Sequence, residues 1–99
     1  MLLKNSSILV VDDDIHVLTA IKMLLKPLVK EISIEKNPSN LISIITQKKI
    51  NLIILDMNFN SVVNTGNEGI FWLNKIKQTN KEVSVILITA YGEIDLAIR

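Results

Sequence analysis

Three segments of this chain are apolar almost without a break and too short for helices. They are "SILVV" (7–11), "NLIILD" (51–56) and "VSVILIT" (83–89). Continuous runs rich in Val and Ile are what a strand covered on both faces requires, because an alternating strand has one face to spare for water and these do not. A fourth segment, "EISIE" (31–35), alternates and predicts a more exposed strand.

Between the runs the apolar spacing changes to three and four. Val17, Leu18, Ile21, Leu24, Leu25 and Leu28 mark one face of a helix from Ile15 to about Lys26, with Pro27 at its end. Asn37 followed by Pro38 predicts a capped start to a second helix, whose buried side is Leu41, Ile42, Ile44 and Ile45. A third helix carries Ile70, Leu73 and Ile76 toward the core, and "GEIDLAIR" (92–99) begins a fourth. Strands alternating with helices in this way predict an α/β fold, a parallel sheet with helices on both faces joined by right-handed crossovers.

With 99 residues there is material for one domain, 1–99. The formal net charge of +1 gives no basic field for nucleic acid, so no direct nucleic-acid contact is expected. Cysteine is absent and His16 is the only histidine, which excludes disulfides, thiolate chemistry and sulfur- or imidazole-based metal sites. No apolar run is long enough to span a bilayer, and the polar "KNSS" (4–7) interrupts anything resembling a signal peptide, so no membrane contact and a cytoplasmic location are the expectation.

Sheets of this kind place ligands beyond the carboxyl ends of their strands. Asp12 and Asp13 follow the first strand, Asp56 closes the third and Thr89 the fourth, so all four can meet in one crevice. Each aspartate alone could be a turn former or a helix cap, and Asp14 in particular suits the N-cap of the first helix. Together, oxygen ligands without Cys or His favour Mg2+. No "GxxxxGK" loop cradles a nucleotide, and a carboxylate itself becomes the candidate nucleophile toward a phosphoryl group. Asp56 suits that role, since it stands alone on its strand while Asp12 and Asp13 are paired. His16, the lysines at 48, 49, 75, 77 and 81, and one of Phe71 and Trp72 are read as solvent-facing.

In the blocks "ILVVDDD" (8–14), "LIILD" (52–56) and "VILITAYG" (85–92) the sequence resembles the receiver domain of bacterial two-component response regulators, in particular those that work with an alternative sigma factor through an ATPase domain. The resemblance implies a flavodoxin-like three-layer αβα sandwich with strand order 2-1-3-4-(5). It implies that Asp13 holds Mg2+ directly and Asp12 largely through water, with the backbone carbonyl of Asn58 completing the protein's share. It makes Asp56 the acceptor of a phosphoryl group from a sensor histidine kinase, Thr89 the switch hydroxyl and Ala90 the small residue beside it. An output domain in cis or a partner, such as an ATPase plus DNA-binding module, would receive the signal and regulate transcription.

The sequence departs from that pattern twice. Where the family has a Met-Pro pair after the phosphoacceptor, Phe59 and Asn60 stand instead, with a longer route to Gly69. The chain also stops at Arg99, so the family's fifth strand with its lysine and its fifth helix are expected to be absent and the domain incomplete. That would leave "VSVILIT" as a bare edge, prone to homodimer formation or domain swapping. The competing reading is a non-switching interaction module; a small phosphohydrolase lacks a general acid or base.

Overall fold

A computed structural model describes residues 3–56, 67–88 and 97–98. Its sheet has the order β2-β1-β3-β4-β5. The strands are β1 (Ser7–Val11), β2 (Glu31–Glu35), β3 (Leu52–Asp56), β4 (Ser84–Ile88) and β5 (Ala97–Ile98), with helices α1 (Ile15–Leu25), α2 (Leu41–Gln47) and α3 (Asn67–Thr79) between them. The pairings among β1 to β4 are all parallel. This is the flavodoxin-like arrangement implied by the resemblance.

Alternation along each central strand feeds two cores. Leu9, Val11, Ile53, Leu55, Val85 and Leu87 face one way, into a cluster closed by Leu41 and Ile45 of α2 and Leu73 and Ile76 of α3. Ile8, Val10 and Leu52 face the other way, against Leu18 of α1, with Ile32 and Ile34 of β2, Ile54 and Ile86 packed around them. Every residue of β1 is buried while β2 is mostly half-buried, as continuous and alternating apolar patterns respectively demand.

The amino ends of three strands are bracketed by one residue. Asn51 Oδ1 accepts from the Ser7 N–H at 2.8 Å. The Asn51 N–H donates to Ser7 O at 2.9 Å, and the Ser84 N–H donates to Asn51 O at 3.1 Å. Replacing Asn51 by alanine leaves the half-buried Ser7 N–H without that acceptor and should cost about 1–2 kcal/mol. Urea unfolding of the variant against the parent chain measures it.

Several expectations need correction. Ala97–Ile98 is an antiparallel strand on β4 where a helix was expected, with Ile86 opposite Ile98 and Leu87 opposite Ala97. The reason is that β4 otherwise presents unpaired N–H and C=O groups, and two residues of extended chain satisfy part of that edge. The edge of β4 is therefore partly covered by this short antiparallel strand. On α1, Leu24 is 71% exposed, and Leu28 is exposed as well. Leu24 stands six residues from the buried Leu18, about 120° round the helix and off the buried stripe, and at Lys26–Leu28 the helix gives way to a 3-10 turn, which carries Leu28 off the core. Ile70, in the first turn of α3, is also exposed, so the buried stripe there reduces to Leu73 and Ile76. Lys77 does not belong to a solvated face: its Nζ donates to Val83 O at 2.5 Å, tying the end of α3 to the entry of β4.

Other expectations hold. Asn37 accepts from the Ser39 N–H at 2.9 Å, capping a 3-10 turn (Pro38–Asn40) that runs into α2. Trp72 packs against the core and Phe71 is exposed, edge-on to it at 5.0 Å between ring centres.

Candidate metal and phosphoacceptor site

The register of the sheet brings the acidic residues together. Val11 of β1 is level with Leu55 of β3, so one step further on each strand Asp12 comes level with Asp56. Asp13 follows at the start of the turn into α1. One carboxylate oxygen from each of Asp12, Asp13 and Asp56 lies within 4.8 Å of the others. Asp12 and Asp56 are each only 5% exposed, whereas Asp13 is open to solvent.

Asp12 and Asp14 are held by the local fold. The Asp12 N–H donates to Glu35 O at 3.2 Å, extending the β1–β2 ladder by one bond. The Asp14 N–H donates to Asp12 Oδ1 at 2.9 Å, so the turn itself aims that carboxylate. Asp14 is extended (φ −95°, ψ 112°), and its own Oδ1 accepts from the His16 N–H at 2.9 Å, capping α1. The cap reading of Asp14 is thus correct, and His16 is exposed, as expected.

Burial pushes the Asp12 carboxyl above its ordinary value of 3.8. The bond from the Asp14 N–H opposes that rise, while the charge of Asp13, a hydrogen bond with Asp13 and the charge of Asp14 add to it. Three clustered acids, two of them out of water, form a site whose repulsion a cation relieves. The donor set is oxygen only, which fits Mg2+: a small hard ion that uses a few carboxylates and keeps several waters. Nothing in the sequence pattern pointed to Glu35, whose contribution is a backbone carbonyl. Asn58, Thr89 and Ala90, and the long loop after Asp56, lie outside the described residues.

The sequence matches the response regulator receiver domain family over residues 8–99. It is 30% identical over 91 residues to transcriptional regulatory protein ZraR of Klebsiella oxytoca, covering 92% of this chain and 19% of that protein. It is likewise 30% identical over 96 residues to sporulation initiation phosphotransferase F of Bacillus subtilis, covering 93% of this chain and 70% of that one.

Among solved structures, the N-terminal signal receiver domain of a two-component response regulator from Bacteroides fragilis superposes with a TM-score of 0.76 at 37% identity, over 88% of this chain and 68% of that one. Response regulator TrrA of Thermotoga maritima, in complex with Mg2+-BeF, superposes with a TM-score of 0.71 at 26% identity, over 88% and 71%. With the strand order, the acidic crevice at the strand ends and the match over residues 8–99, the chain belongs to the response regulator receiver domain family.

Proposed function

We propose that this receiver accepts a phosphoryl group from a sensor histidine kinase on Asp56 and relays the change to an output domain or partner that regulates transcription. The observation that carries the reading is the convergence of three carboxylate oxygens within 4.8 Å at the ends of β1 and β3. Asp12, Asp13 and Asp56, with the Asn58 carbonyl, would hold Mg2+. The cation supplies positive charge against the phosphoryl oxygens as they transfer.

In the transfer itself an Asp56 oxygen attacks phosphorus, the phosphorus–nitrogen bond of the donor phosphohistidine breaks, and the leaving imidazole nitrogen keeps the electron pair and takes up a proton. Burial of Asp56 keeps bulk water from competing as nucleophile. Thr89 would offer its hydroxyl to the new phosphoryl oxygens, and Ala90 would leave room for them. As a receiver that meets its kinase's catalytic side, the protein would work in the cytoplasm. The described residues contain no helix long and apolar enough to cross a membrane.

The name of the Klebsiella relative supports a transcriptional output, and the Mg2+-BeF complex of the Thermotoga relative supports the cation. Incubation with acetyl phosphate tests the reading. One phosphoryl group should add when millimolar Mg2+ is present and at least about tenfold more slowly when it is chelated, since charge stabilisation by one group is commonly worth that much or more. A folded protein that takes no label from acetyl phosphate or from a phosphorylated kinase would favour the non-switching interaction module.

A further inference from the structure

Asp14 is outside the group of acids that converge, yet all three of its polar functions are engaged. Its N–H donates to Asp12 Oδ1 at 2.9 Å. Its Oδ1 accepts from the His16 N–H at 2.9 Å, and its backbone oxygen accepts from the Leu18 N–H at 3.1 Å. Leu18 is fully buried against β1, so the first turn of α1 is anchored in the core. A rigid path therefore runs from the core, through Leu18 and the capped turn, to one oxygen of the buried Asp12.

We infer that Asp14 is a positioning residue for the cation: by capping α1 it fixes its own N–H against Asp12 and so aims the Asp12 carboxylate into the site. This rests on the reading of Asp12, Asp13 and Asp56 as the Mg2+ ligands. A carboxylate has about four acceptor positions, and the Asp14 N–H occupies one, leaving the others for the ion and its waters. Pre-set orientation of this kind is what a partner outside the ligand set contributes to metal affinity.

The competing role for Asp14 is a third negative charge that simply attracts the cation. The two roles separate by substitution, because asparagine and serine cap helices about as well as aspartate but carry no charge, whereas alanine does neither. A control for general loss of stability is Asn51→Ala, which removes the bond from the Ser7 N–H to Asn51 Oδ1 at the amino ends of the strands, the opposite end of the sheet from the acids.

Mg2+ dissociation constants by calorimetry on the whole 99-residue chain provide the readout, at a temperature where circular dichroism shows every variant folded. Asp14→Asn and Asp14→Ser should stay within about threefold of the parent, Asp14→Ala should weaken by about tenfold or more, and Asn51→Ala should be unchanged, the tenfold figure being the lower bound for loss of such a supporting group. Equal weakening in Asp14→Asn, Asp14→Ser and Asp14→Ala would assign Asp14 a charge role and overturn the proposal, as would unaltered affinity in Asp14→Ala. If Asp14→Ala does not fold, weakened binding in the capped, uncharged Asp14→Ser still overturns it. A parent chain that binds no Mg2+ overturns the ligand reading itself, and that outcome is distinct from the others.

Discussion

An Asp56→Asn chain should take up no phosphoryl group, with labelling by acetyl phosphate falling at least about 100-fold, because an amide of nearly the same shape offers no nucleophilic oxygen. The substitution should not unfold the protein. Asp56 ends β3 level with Ile88 of β4, and asparagine fits the same space while removing one of three like charges. Intact mass after labelling, beside a thermal melt, separates lost chemistry from lost structure. Undiminished label in a folded Asp56→Asn protein would move the nucleophile to another carboxylate, with the exposed Asp13 the first to examine.

Substitution of Asp12 should act in opposite directions with and without the cation. Its carboxyl titrates above 3.8 in the folded chain, chiefly because it is buried. The folded state therefore holds the Asp12 proton more tightly than the unfolded state does. As pH rises from 3.8 through the raised folded value, the unfolded chain ionises first and the stability associated with neutral Asp12 is lost.

At neutral pH the ionised group is then a liability unless a cation is bound. Asp12→Asn should raise the stability of the metal-free chain by about 1 kcal/mol, or roughly 4–8 °C in melting temperature for a domain of this size. The same variant should lose most of the gain that Mg2+ gives the parent, which reaches about 2.7 kcal/mol at a hundred times the dissociation constant. Melts at neutral and mildly acidic pH, each with and without Mg2+, read both signs. A metal-free Asp12→Asn protein less stable than the parent at neutral pH would show that Asp12 is compensated by a partner stronger than the Asp14 N–H.

The parallel strands were readable because burial on both faces leaves no choice of residue type: "SILVV" and "LIIL" admit one interpretation, and their ends carried the acids with them. Helix faces were less readable. Leu24 and Ile70 fit a helical stripe by spacing, but a stripe says only which positions share a side, and each stands six residues from a buried position, Leu18 or Ile76, about 120° round its helix and in water. Lys77 looked like any surface lysine, since the carbonyl it reaches belongs to the next element. The fold-back of Ala97–Ile98 depends on an open edge twelve or fewer residues upstream, a tertiary fact that local periodicity does not encode. At the site, carboxylates announce themselves by residue type, whereas the Asp14 N–H and the Glu35 carbonyl are backbone groups that every residue owns.

The bracket that Asn51 forms at the amino ends of β1, β3 and β4 works as the zero mark of a ruler. Those strands each run five residues, and the acids sit at or just past the far ends of β1 and β3. Adding or removing one residue inside β1 or β3 would slide an aspartate by about 3.3 Å and turn it to the opposite side of the sheet, too far for three oxygens to share an ion. Added residues in the connecting segments beyond Asp14 and beyond Asn58 would leave that spacing untouched. Length can therefore drift in the connections of this chain away from the acids while its strands are held to count, and the long sequence after Asn58 falls on the permissive side of that divide.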